Sequence, residues 1–87
     1  MEEIKRLISD NKSEEAIRLL NEYLQKQPKS DEAWFLLGKV YYKLGNVRLA
    51  LNSYLQAIEI NPESPAREAY NMAIKVLDFY NKDMYNH

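Results

Sequence analysis

Eighty-seven residues suit one small domain and leave little room for a second, and 46% hydrophobic residues are enough for its core. Twelve basic against thirteen acidic side chains, a net charge of −1 and no Lys/Arg block argue against nucleic acid as the main partner, because phosphate binding needs a clustered positive surplus. Cysteine is absent, no window reaches the length of a membrane span, and the opening Met1-Glu2-Glu3-Ile4-Lys5 lacks the apolar stretch of a signal peptide; the expected address is cytoplasmic, with no membrane partner.

Apolar spacing and turn chemistry predict five helices in chain order. A short first helix carries Ile4, Leu7 and Ile8 and breaks at Ser9-Asp10-Asn11. A longer second one places Ala16, Ile17, Leu20, Tyr23 and Leu24 on one face and stops at Gln27-Pro28. Residues 31–44 repeat apolar side chains at Trp34, Leu37, Tyr41 and Leu44, with Ser30 as N-cap and Asp31 and Glu32 easing the helix dipole; Gly45 ends this helix. A fourth helix spans about 47–60, with Ala50, Leu51, Tyr54, Ala57 and Ile58 inward, and Asn61-Pro62 closes it. Ser64-Pro65 opens a fifth, expected to run to about Asn81 and to leave 82–87 as a tail. No segment alternates as a strand does.

A shift of thirty-four residues superposes landmarks: Ala16 on Ala50, Pro28 on Pro62, Ser30 on Ser64 and, between helices, Asn11 on Gly45. Leu7 meets Tyr41 and Ile8 meets Tyr42, so the apolar faces match as well. The segment 31–64 reads Trp34-x2-Leu37-Gly38-x2-Tyr41, then Ala50-x3-Tyr54, Ala57 and Pro62, and it resembles a tetratricopeptide repeat. Only Tyr54, an aromatic swap for Phe, departs from that pattern. Residues 1–30 resemble a repeat with a truncated first helix, matching at Ala16, Leu20 and Pro28, with Ile4 where the family prefers a small residue. Residues 65–81 resemble the first helix of a third repeat. A polar stripe (Asn71, Lys75, Asp78, Lys82) opposite Ala69, Ala73, Val76 and Tyr80 marks it as a capping helix.

The resemblance implies an all-α fold: a right-handed stack of antiparallel helix pairs, an α-solenoid of five helices forming a single domain over 1–81. Within it, Gly38 costs about 1 kcal/mol relative to alanine in a helix interior. Close approach of the paired helix at Ala50 and Ala57 is the expected compensation, with Trp34, Leu37, Tyr41 and Tyr54 filling the space around the crossing.

Catalysis is not expected. The only histidine is His87, the serines sit mostly at caps and turns (Ser9, Ser13, Ser30, Ser64), and two glycines cannot build a phosphate loop. Glu2-Glu3 and Glu14-Glu15 stand near helix starts, where they ease the dipole. No cofactor or metal is expected.

The resemblance instead implies a concave groove lined by the first helix of each pair, here Lys5, Ile8, Glu32, Phe35, Lys39, Tyr42 and Lys43, continued by Ala69, Tyr70 and Ala73. The candidate peptide-binding residues are Lys5, Phe35, Lys39, Tyr42, Lys43 and Tyr70. Spacing alone supports part of this set: Phe35 and Tyr42 lie off the Trp34/Leu37/Tyr41 face and are flanked by Lys39 and Lys43, which suits an extended peptide with an acidic or aromatic element. The competing reading packs Phe35 against Tyr70 or Ala73 and Tyr42 against Ile8, and leaves Lys39 and Lys43 as a solvated pair. The carboxylate clamp that some members use on chaperone tails is not matched, since Met1, Lys5, Leu36, Ala66 and Tyr70 occupy its positions. The expected function is a protein-interaction module or adaptor that binds a peptide segment of a partner. The alternative is a self-associating unit, a weak homodimer joined through the groove or the Tyr80/Met84/Tyr85 end, because about two and a half repeats fall short of the usual three.

Overall fold

The computed structural model describes residues 1–85, with side chains described through Phe79. Five helices follow one another: α1 (Glu2–Ser9), α2 (Ser13–Lys26), α3 (Asp31–Lys43), α4 (Val47–Ile60) and α5 (Ala66–Tyr85). No strand occurs among the described residues. Two of the connections carry a left-handed residue where the repeat aligns them, Asn11 at φ 61° and Gly45 at φ 84°. Asparagine tolerates that region and glycine has no Cβ to clash in it.

Caps fix the starts of the later helices. Ser30 Oγ accepts a hydrogen bond from the Ala33 N–H at 3.2 Å, and Asn46 Oδ1 accepts one from the Leu49 N–H at 3.3 Å. Ser64 Oγ accepts from the Ala66 N–H at 3.1 Å and so opens α5. This last helix does not stop near Asn81 but continues to Tyr85. No glycine or proline stands between its first and last residues to end it. Asn86 and His87, the end of the expected tail, lie outside the described residues.

The helices pack in chain order, α3 against α4 most closely. Ile4, Ala16, Leu20, Leu24, Ala33, Leu36, Leu37 and Val40 form a first buried cluster, and Ala50, Leu51, Tyr54, Ala57, Ala66 and Ala73 a second. Leu20 and Val40 are fully enclosed, each worth about 1.5–3 kcal/mol of transfer free energy. Trp34 and Tyr41 touch both clusters and join the repeats. Trp34 is only half-buried: its indole Nε1–H donates to the Pro28 carbonyl at 3.0 Å near the surface. Leu44, expected on the α3 core face, is 53% exposed because it caps the helix beyond its last packed turn.

The α3/α4 crossing is as tight as Gly38 requires. A Cβ on Gly38 would lie 2.5 Å from both Cδ1 and Cε1 of Tyr54 and 3.2 Å from the Ala50 carbonyl oxygen. Tyr54 lies against the bare α3 backbone, and that contact offsets the helix-propensity penalty of the glycine.

On α5, Ala66 and Ala73 are buried and Ala69, Tyr70 and Leu77 pack on the second cluster. Asn71, Lys75 and Asp78 are exposed, as a capping helix needs. The outer face is nevertheless not wholly polar, since Met72 is 66% and Phe79 67% exposed. Val76 is half-buried, and the side chains of Tyr80 and Lys82, the last members of the two expected stripes, lie outside the described ones.

Candidate functional site

Two adjoining cavities run along α3 on the side facing α1 and the start of α5. The first, about 520 Å³, is lined by Lys5, Ile8 and Ser9 from α1, by Asp31, Glu32, Phe35, Leu36 and Lys39 from α3, and by Ser64 and Pro65. The second, about 560 Å³, is lined by Phe35, Lys39, Tyr42, Lys43, Tyr54 and Ala69. Phe35 and Lys39 belong to both, so the two form one continuous groove.

Helix periodicity brings these side chains together. Phe35, Lys39, Tyr42 and Lys43 are spaced three and four apart and therefore share one stripe of α3. Lys39 Nζ lies 5.4 Å from the centre of the Phe35 ring, a cation–π arrangement. The Phe35 and Tyr54 rings stand 6.1 Å apart and tilted by 39°, within the range of an aromatic pair. Lys43 Nζ donates to the Ile8 carbonyl at 3.0 Å, an oxygen at the end of α1 that also accepts from the Asn11 N–H at 3.1 Å. Lys5 Nζ stands 3.3 Å from Glu32 Oε2 and 3.8 Å from Glu2 Oε1. Its charge is thus met on both sides. Asp31 Oδ2 accepts from Asn61 Nδ2 at 3.0 Å, tying the floor of the groove to the α4–α5 turn.

Five of the six candidate residues line this groove: Lys5, Phe35, Lys39, Tyr42 and Lys43. Tyr70 does not; it is half-buried and packs against the second cluster, because its turn of α5 faces α4. Ala73 is likewise a core residue with no exposed surface. Phe35 packs against the second buried cluster, which includes Ala73, and pairs its ring with Tyr54; Tyr42 is 37% exposed.

One groove residue was hidden by the sequence pattern. Tyr54 reads as a core position of the repeat and is 3% exposed, yet its ring also lines the second cavity. Burial, and secondarily the neighbouring Tyr42, push its hydroxyl up to about 12 from an ordinary value near 10, so it is neutral throughout the physiological range. The one sequence signal was its departure from the phenylalanine of the family pattern.

Comparison with known proteins agrees with this architecture. The tetratricopeptide repeat pattern matches residues 31–64, and a second pattern described as TPR repeat matches residues 5–45. A solution structure of Bacteroides fragilis protein BF1650 superposes with a TM-score of 0.88 at 50% identity, covering 98% of this chain and 87% of that one. Intraflagellar transport protein 70A2 of Rattus norvegicus is 40% identical over 58 residues, 67% of this chain but 9% of that protein. A putative cytochrome c-type biogenesis protein, CcmH, of Haemophilus influenzae is 34% identical over 62 residues, 14% of its length. The chain thus spans a small fraction of the curated relatives it matches. Repeat spacing, the Gly38 crossing and these matches converge: the chain belongs to the tetratricopeptide repeat family, whose repeats mediate protein–protein interaction.

Proposed function

We propose that the chain is an interaction module that holds a peptide segment of a partner protein in the groove between α1, α3 and the start of α5. The observation that carries this reading is the stripe Phe35, Lys39, Tyr42 and Lys43, an aromatic and cationic surface along one helix that the core does not enclose. The two adjoining cavities run on along α3, which suits an extended segment, and exposed aromatic side chains are common anchors of protein contacts. The partner is a protein or peptide, not nucleic acid or a membrane, in keeping with a net charge of −1. No helix among the described residues is long and apolar enough to cross a membrane. A cytoplasmic setting is part of the same proposal, as is the absence of catalysis.

Affinity capture from the native cell tests it, with the double variant Phe35→Ala/Tyr42→Ala beside the wild type. Phe35 is half-buried against Tyr54, so the variant's helical circular dichroism is matched to the wild type first, and Tyr42→Ala alone, at an exposed position, is the control for folding. Loss of the captured partner on the variant is expected; equal capture by both proteins would refute groove binding.

Self-association is a second reading, favoured by the exposure of Met72 at 66% and Phe79 at 67% on α5. The Tyr80/Met84/Tyr85 end considered for it lies outside the described side chains. Light scattering across a dilution series separates the two, since a folded monomer at micromolar concentration removes the dimer.

A further inference from the structure

The groove has two electrostatically different halves. In the half toward the start of α3, each carboxylate has a partner: Glu32 faces Lys5 at 3.3 Å, and Asp31 holds Asn61 at 3.0 Å. Of the charges lining this half, Lys5, Asp31 and Glu32 belong to it alone, and Lys39 stands on the boundary with the other half. The half toward the end of α3 is lined by Phe35, Lys39, Tyr42, Lys43, Tyr54 and Ala69, with two ammonium groups and no carboxylate. Neither Lys39 nor Lys43 forms an ion pair among the described residues. Both are nevertheless positioned, Lys39 over the Phe35 ring at 5.4 Å and Lys43 by its bond to the Ile8 carbonyl at 3.0 Å.

Two like charges one helical turn apart repel, and a carboxylate between them relieves that repulsion. Each ammonium carries three donors, and the Ile8 carbonyl takes one from Lys43, so donors remain for a ligand. In a chain of net charge −1, this is an uncompensated positive site on an aromatic floor. We propose that this half of the groove is the specificity pocket for a carboxylate: an Asp or Glu side chain of the bound segment sits between Lys39 and Lys43, and an apolar or aromatic neighbour lies on Phe35, Tyr42 and Tyr54. The inference rests on the groove reading and adds to it a ligand chemistry and a polarity.

A phage-displayed library of random twelve-residue peptides, selected on the wild-type chain, supplies the probe. Enriched peptides are expected to share an Asp or Glu beside a Leu, Phe, Tyr or Trp. The synthetic consensus peptide should bind Lys39→Glu/Lys43→Glu at least about tenfold more weakly, as for loss of a charged hydrogen bond. A consensus peptide with its acidic residue changed to Lys should recover binding to that variant. Lys39→Glu alone, which leaves the Lys43–Ile8 bond intact, should show an intermediate loss and guards against misfolding of the double variant. Peptides without an acidic residue that still depend on Phe35 and Tyr42 would overturn the carboxylate assignment and leave the groove reading standing. Tighter binding of a phosphoserine peptide than of its glutamate counterpart would overturn it too. Peptides indifferent to both pairs of variants, or no enrichment at all, would overturn the groove reading and this inference together.

Discussion

The two repeats solve the same crossing in opposite ways. At the thirty-four-residue spacing Ile4 corresponds to Gly38 and Leu20 to Tyr54. The first pair contributes two medium aliphatic side chains, both buried in the first cluster. The second contributes no side chain from α3 and an aromatic ring from α4, which meets the α3 backbone directly. Either combination fills a crossing, but only the second sends a ring from the paired helix through to the groove. Tyr54 touches Phe35 and lines the cavity, whereas Leu20 is wholly enclosed. The glycine that reads as a packing device therefore also sets a nearly buried aromatic ring directly behind the groove, against Phe35.

The largest expected effect breaks that contrast. Gly38→Leu forces its Cβ to within 2.5 Å of the Tyr54 ring and should cost about 3 kcal/mol or more, measured by urea denaturation; the matched Ile4→Leu should cost under about 1.5 kcal/mol. Equal costs would mean that the crossings do not differ. Next comes the turn. Gly45→Ala places a Cβ at φ 84° and should lose about 1–2 kcal/mol, while Asn11→Gly should stay within about 0.5 kcal/mol.

Capping sharpens the comparison further. Asn46 caps α4, but its counterpart Lys12, on a similar backbone at φ −94° and ψ 64°, has no side-chain bond to α2. Lys12→Asn should therefore stabilise the chain by about 0.5–1 kcal/mol, and Asn46→Ala should destabilise it by about 1 kcal/mol. A thermal melt in which the first substitution lowers stability would contradict this account of the first repeat.

The smallest effect is a pH dependence. Because the folded chain holds the Tyr54 hydroxyl near 12 against about 10 when unfolded, its contribution to stability is complete below pH 10 and is lost as pH rises toward 12. Melting points measured between pH 9 and 12 should fall less steeply for Tyr54→Phe than for the wild type. The counterpart Leu20 cannot titrate.

Much of this was legible in the sequence, and the boundary is physical. Ser30, Gly45, Asn61-Pro62 and Ser64 are local signals acting on their own neighbours, and they placed the helix ends. Asn11 and Gly45 were matched by turn chemistry and both prove left-handed. Contacts across the stack were not legible. Periodicity puts Lys5 and Lys43 on exposed faces, but the Lys5–Glu32 pair and the Lys43–Ile8 bond depend on how far α1 reaches over α3. The same holds for the ring pair of Phe35 with Tyr54 on α4, and for Tyr70, half-buried against the second cluster. The end of α5, at Tyr85 and not near Asn81, is not legible because no breaker marks it.

The most direct measurement maps where a library-selected peptide sits, by amide and side-chain chemical shifts of the labelled chain. Perturbations should cluster on Phe35, Lys39, Tyr42, Lys43 and the Tyr54 ring, with Tyr23 and Leu55 unmoved. Shifts confined to the opposite side, around Asn21, Leu49 and Gln56 between α2 and α4, would contradict the groove as the seat of function.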